Sequence, residues 1–200
     1  MKKLWLSLLI GILSLGVLSS CAAKPKPEEP LTTFLDAFKN KEVIDYASLF
    51  NGDVSSMTSD PFSTEETPNE ISTKMMEMIL AYEYKVKESV TAQDGLTAVV
   101  TIEFTTIDIG QVFKDFMTEY MTRAFELAFS GATEEEITQV GIEVFLEVSN
   151  AAAKDKITTV DVDMVKEDGK WMIKGGSDNL ALFDGLMGGL ITSMEDMGGE

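Results

Sequence analysis

Hydrophobic residues change period several times along this chain, and each change marks a structural element. Leu31, Phe34, Leu35 and Phe38 recur at helical spacing. After a break at Asn40 the pattern resumes with Val43, Tyr46, Ala47 and Phe50 until Asn51-Gly52 stops it, so a helical entry in two pieces is predicted. From Asp53 to Glu66 no period survives, which predicts a loop. Thr67-Pro68-Asn69-Glu70 then combines a capping-box pattern with proline at the first helical position, where its missing N–H costs nothing. Ile71, Met75, Met78 and Ile79 supply the stripe of a helix that should end near Leu80.

The period then drops to two. Tyr82, Tyr84, Val86 and Val90 predict a half-buried strand, Gln93-Asp94-Gly95 turns the chain, and Leu96, Ala98, Val100, Ile102 and Phe104 return on one face of a partner strand. That alternation slips at Thr105-Thr106 before Ile107 and Ile109, as a β-bulge would produce, so the sheet is expected to bend there. An αα-hairpin follows. Val112, Phe113, Phe116, Met117, Tyr120, Met121, Ala124 and Ala128 form one stripe that Ser130-Gly131 stops. Thr133 to Glu136 is a capping box that opens a second stripe of Ile137, Val140, Val144, Phe145 and Val148. The acidic run Glu134-Glu135-Glu136 is accounted for by its place, because carboxylates in a first turn meet the positive end of the helix dipole.

The closing hairpin can be read to the residue. If Asp168-Gly169 is a two-residue turn, Glu167 faces Lys170, Lys166 faces Trp171, Val165 faces Met172 and Met164 faces Ile173. Trp171 and Ile173 then share a face with Met164, Val162 and Val160, so turn chemistry and alternation agree on one register. Ser177-Asp178-Asn179 caps a last stripe of Leu180, Phe183, Met187, Leu190 and Met194. Gly185, Gly188 and Gly189 weaken it at about 1 kcal/mol each, so this helix is expected to fray.

The chain's first twenty residues follow none of these patterns. Lys2 and Lys3 precede an apolar run from Leu4 to Leu18, too short at about 1.5 Å per residue to cross a hydrocarbon core about 30 Å thick, so an export signal is predicted. Leu18-Ser19-Ser20-Cys21 resembles the lipobox of bacterial lipoproteins, in which cleavage precedes an acylated cysteine, and Cys21 is the only cysteine in 200 residues. The resemblance implies residues 1–20 as signal peptide, acylation of Cys21, and attachment to membrane lipid on the outer face of the cell membrane. Two acyl chains hold stably where one holds marginally. Residues 21–30 carry three prolines and no apolar period, which predicts an extended tether, and 31–200 are expected to form one domain with a helical insertion at 111–154.

Charge and composition narrow what that domain can do. The whole chain has 16 basic and 34 acidic residues; cleavage would remove two lysines and no acid, leaving 14 against 34 and a formal −20. Such a surface repels polyanions, so nucleic acid is not expected as a partner. Histidine is absent, which removes imidazole bases, Ser-His and Cys-His nucleophiles and His-ligated zinc together.

The element order of helices, hairpin, helical insertion and a closing hairpin carrying Val165-Lys-Glu-Asp-Gly-Lys-Trp-Met-Ile173 resembles the NTF2-like, cystatin-like cone lipoproteins of Gram-positive bacteria, many of them domains of unknown function. The resemblance implies an α+β fold. A bent antiparallel sheet of about four strands would pack on helices around a cone-shaped cavity used for binding, dimerisation or catalysis, with Tyr82, Tyr84, Phe104, Tyr120 and Trp171 as possible pocket lining.

Candidate chemistry is sparse. Glu103, Asp161 and Asp163 fall on polar strand faces, Asp161-Val-Asp163 lacks the further ligands of a calcium loop, and the methionines of Met75-Met76-x-Met78 and Met117-x-x-x-Met121 sit at helix core positions. No catalytic residue, cofactor or metal site is predicted. Arg123, the only arginine, could grip a carboxylate or phosphate ligand or pair with one of the chain's own acids. The expectation is a non-enzymatic binding module for a small apolar or peptidic ligand or a protein partner. The alternative is a small isomerase- or lyase-like enzyme using a buried carboxylate and a tyrosine.

Overall fold

Every second residue of β3 (Thr97–Thr106) and β4 (Lys156–Glu167) is turned to one face, and the antiparallel ladder stacks these positions in register. Ala98 meets Met164, Val100 meets Val162 and Ile102 meets Val160. In the computed structural model, which describes residues 25–52 and 69–198, this ladder is the middle of a five-stranded sheet ordered β1-β5-β4-β3-β2. β2 (Glu83–Thr91) and β5 (Lys170–Lys174) flank the ladder antiparallel, and β1 (Phe50–Asn51) adds a parallel edge on β5. The fold is therefore α+β as expected, with a mixed sheet of five strands rather than four. The fifth strand was hidden because Phe50 continues a helical stripe; only the tail of that stripe, α2 (Tyr46–Leu49), is helical, and Val43 is fully exposed.

The β4–β5 hairpin adopts the register read from the sequence, pair for pair. Asp168 (φ 49°) and Gly169 (φ 83°) are both left-handed, as the tight turn requires. The bulge is elsewhere than expected. Thr106 stays buried and β3 alternates without a slip to its end, whereas β2 shifts register between Val86 and Glu88. The extra residue moves Val90 to the opposite face, paired with Val99, which leaves both exposed.

The inner face of the sheet is covered by α1 (Glu28–Lys39), through Leu31, Phe34 and Leu35, and by α6 (Leu180–Leu186), through Leu182 and Leu186. Fully burying such side chains contributes about 1.5–3 kcal/mol each, so this layer dominates stability. Because α1 begins at Glu28 and Pro30 is buried, the end of the expected tether is part of the fold.

A second apolar cluster joins α3 (Glu70–Leu80), α4 (Ile109–Ser130) and α5 (Glu134–Ala151) through Met78, Ile109, Val112 and Phe145. The αα-hairpin has the expected Thr133–Glu136 capping box and a left-handed Gly131. Its α4 stripe is only partly used, since Phe116 packs against Phe145 while Met117 and Met121 remain exposed, as do Phe125 and Phe129 outside the stripe. α3 starts two residues later than read: Asn69 is the N-cap, in a capping box with Ser72, and Thr67 and Pro68 lie outside the described residues with the 53–66 loop.

The C-terminal stripe is corrected too. Gly188 (φ 61°) and Gly189 (φ 79°) do not fray one helix but turn the chain between α6 and α7 (Leu190–Gly198), and the buried positions are Leu182 and Leu186 rather than Leu180 and Met194. A Cβ on Gly188 would meet the Ile107 carbonyl at 2.1 Å, so the turn needs glycine to nestle against the start of α4. Asn179 does not cap α6. It lies buried where β5 ends, accepting from the Asp163 N–H (2.8 Å) and donating to the carbonyls of Asp163 (3.0 Å) and Lys174 (2.8 Å), so that a side chain continues the ladder.

Candidate functional site

The aromatic residues predicted to line a pocket are packed among other side chains. Tyr82, Phe104 and Trp171 belong to the sheet core, and Tyr84 packs at its edge. The Tyr82 hydroxyl donates to the Leu35 carbonyl, and burial, with Tyr84 and Asp36 nearby, pushes its phenol well above the ordinary tyrosine range. Tyr84 is also shifted upward, first by desolvation and then by its 2.6 Å hydrogen bond to Asp36. That tyrosine–carboxylate pair lies between β2 and α1. Tyr120 stacks on Phe116 at 5.6 Å and faces Gly141, whose missing Cβ lets α5 approach the ring. None of the five borders the clefts described below. Cys21 and the lipobox residues Leu18, Ser19 and Ser20 lie outside the described residues.

The largest of these clefts, about 720 Å³, runs between the first four turns of α4, the end of α5 and the link into β4. It arises from helix periodicity. Asp108, the N-cap that accepts from the Gln111 N–H, is followed by Gln111, Asp115 and Glu119 at helical spacing, a polar stripe set against the small floor of Val148, Ala151 and Ala152. Arg123 closes one end. Its Nε donates to Glu119 Oε1 at 2.8 Å on its own helix and its Nη2 to Glu147 Oε2 at 2.9 Å on α5, so it ties the two helices together, and these bonds raise its already high pKa. Of the two readings of this arginine, the structure supplies internal partners. At the other end Lys156 Nζ reaches Asp108 Oδ1 (3.0 Å) and the Gly188 carbonyl (3.1 Å), separating this cleft from a smaller one of about 280 Å³ beside Asp184 and Thr192.

Five carboxylates, from Asp108, Asp115, Glu119, Glu147 and Asp155, face this cleft against Arg123 and, at its end, Lys156 on Asp108, which still leaves it anionic. Among the described residues no three acids come close enough to hold a metal ion. Negative charge spread along a groove suits an extended cation better than a point charge. Apolar periodicity does not report this site; its signal lies in the polar positions 111, 115 and 119 of α4 and its N-cap Asp108.

Residues 24–186 match a domain of unknown function, DUF5105, over most of the chain. The chain belongs to the DUF5105 family. No curated protein matches it in sequence. Among solved structures, this DUF5105 chain resembles the candidate lipoprotein YcdA of Bacillus subtilis, at 14% identity and a TM-score of 0.51. The similarity covers 81% of this chain and 56% of the other, so the DUF5105 chain spans little more than half of that protein. It speaks to fold alone. Among the described residues no helix is long and apolar enough to cross a membrane.

Proposed function

We propose that this protein is an extracytoplasmic lipoprotein, held by acylated Cys21, whose domain binds a positively charged peptidic segment in the cleft between α4 and α5. The observation that carries the binding reading is the 720 Å³ groove with five carboxylates and a single arginine already occupied by two of them. The inner face of the sheet, where an apolar ligand was expected to lodge, is filled among the described residues by Leu31, Phe34, Leu35 and Leu182. A cone of the NTF2-like kind fits this reading as a filled scaffold that presents the αα-hairpin. The candidate lipoprotein with which it shares its fold and the Leu-Ser-Ser-Cys sequence support the anchor.

Titration with tetralysine, followed by amide chemical shifts, tests the cleft. Shifts should concentrate at Gln111, Val148 and Ala152, weaken with added salt, and diminish in the Asp115→Asn/Asp155→Asn variant. Shifts scattered over the acidic surface, unchanged by that variant, would show a general charge effect and sink the site. The anchor has a separate test: Cys21→Ala should release the protein from the membrane or block its processing, and normal cleavage with membrane retention would refute acylation.

A further inference from the structure

The fold is pinned to the chain very close to the proposed anchor. Trp171 Nε1 donates to the Pro25 carbonyl at 3.1 Å, and Pro30 and Leu31 are buried beyond it. Only Ala22, Ala23 and Lys24 intervene between Cys21 and Pro25, and four steps of chain reach at most about 14 Å. An acylated Cys21 therefore holds the Trp171 end of the domain near the headgroups.

Sheet register says what else stands at that end. Trp171 pairs with Lys166 beside the Asp168-Gly169 turn, and the Lys166 N–H donates to the Leu96 carbonyl at 2.7 Å, so the β2–β3 turn lies alongside. Leu96 is 56% exposed there. The αα-hairpin leaves the sheet at the Thr106–Lys156 end, separated from Leu96 by the ten residues of β3, about 30 Å at ~3.3 Å per residue.

Net charge argues against contact with an anionic surface, but it acts only within a screening length of about 8 Å at physiological salt. At this end Lys26, Lys166 and Lys170 stand among Glu28, Glu29, Asp94, Glu167 and Asp168, a smaller acid excess than in the rest of the chain, which carries more than two acids per base. The acid-lined cleft is at the far end. The geometry points to the turn end of the sheet, with Leu96 at its tip and Lys26, Lys166 and Lys170 around it, as a docking surface for the lipid headgroups of the anchoring bilayer. The contact holds the domain upright with the cleft facing outward. This rests on the acylation of Cys21.

The test uses the mature, acylated protein in phosphatidylcholine vesicles containing phosphatidylglycerol. Acylation consumes the only native thiol, so a single introduced cysteine carries a fluorophore at Gln93, in the proximal turn, or at Ala153, at the distal end. A nitroxide on the lipid headgroup should quench the Gln93 label severalfold more than the Ala153 label. Twelve Gly/Ser residues inserted between Ala23 and Lys24 should shrink that difference, as should Leu96→Ser combined with Lys26→Glu and Lys170→Glu. Equal quenching at the two sites in acylated protein would overturn the orientation and leave the anchor standing. An intact mass showing Cys21 bare would overturn the anchor and this docking together.

Discussion

Replacing Asn179 by alanine tests whether one side chain closes the exposed edge of β4. The amide makes three bonds of 2.8–3.0 Å to backbone groups of Asp163 and Lys174 in a site 1% exposed. Each such bond contributes about 1 kcal/mol net, and a buried backbone group left without a partner costs about 1–3 kcal/mol, so the loss should total about 3–5 kcal/mol. Typical domains hold only 5–15 kcal/mol, and at roughly 2–4 °C per kcal/mol for this size the melting temperature should fall by about 10 °C. Urea titration followed by fluorescence reads this directly, because Trp171 is the only tryptophan besides Trp5. Asn179→Asp is the informative control. It keeps the outline and the acceptor for the Asp163 N–H but turns a carboxylate toward two carbonyls. Its folded pKa should therefore be raised, and the deficit relative to wild type should shrink as the pH falls. A cost below about 1 kcal/mol for the alanine variant would refute the argument, since the stranded groups would then have found other partners.

Gly110→Ala should destabilise by about 1–3 kcal/mol despite the better helix former, because its Cβ would lie 2.2 Å from Ser193 Oγ and 2.6 Å from the Gly189 carbonyl. Adding Ser193→Ala should recover only part in a urea melt, as the carbonyl clash stays. Thr106→Val should stabilise by about 1 kcal/mol, since the Thr106 hydroxyl is buried without a partner and valine keeps its shape; a lowered urea midpoint would contradict this. Asp94 accepts from the N–H groups of Leu96 and Thr97, which hold its pKa below the usual value. Its contribution is present above the unfolded pKa of about 3.9 and lost as the pH falls through the folded one, so Asp94→Asn should be less stable than wild type at pH 7 and converge with it in acid.

Where local chemistry and packing ask for the same residue, the sequence was legible. The β4–β5 register followed from Asp168-Gly169 and alternation because either alone selects the same pairing, and the Thr133–Glu136 box set the start of α5 for the same reason. The misreadings occur where a tertiary neighbour decides. Phe50 continues a helical stripe, yet its backbone is taken by Ile173 of β5. Gly188 and Gly189 looked like weak points of one helix, whereas they allow a turn to press on Ile107 and Gly110. Val90 kept the parity of Tyr84 and Val86, and a register shift in β2 with no mark in composition sent it to the other face.

The same distinction explains why the candidate site was not foreseen. A pocket predicted from aromatic residues presumes that a bent sheet leaves room inside, but Phe34 and Leu182 come from opposite ends of the chain to fill that room, and no local pattern reports such a meeting. The groove between α4 and α5 has the opposite logic. Its floor is made of small residues, Ala151 and Ala152, and its walls of polar ones that a core-seeking reading discards as solvated surface. Their helical spacing was visible; what the sequence lacked was the pairing of Arg123 with Glu147, twenty-four residues away, which sets the two walls across from one another. That ion pair is exposed and contributes little to stability. Its consequence is geometric: Glu147→Gln should scarcely move the melting temperature yet alter the tetralysine-induced shifts at Gln111 and Val148, and a variant that changed stability alone would take the groove out of the functional account.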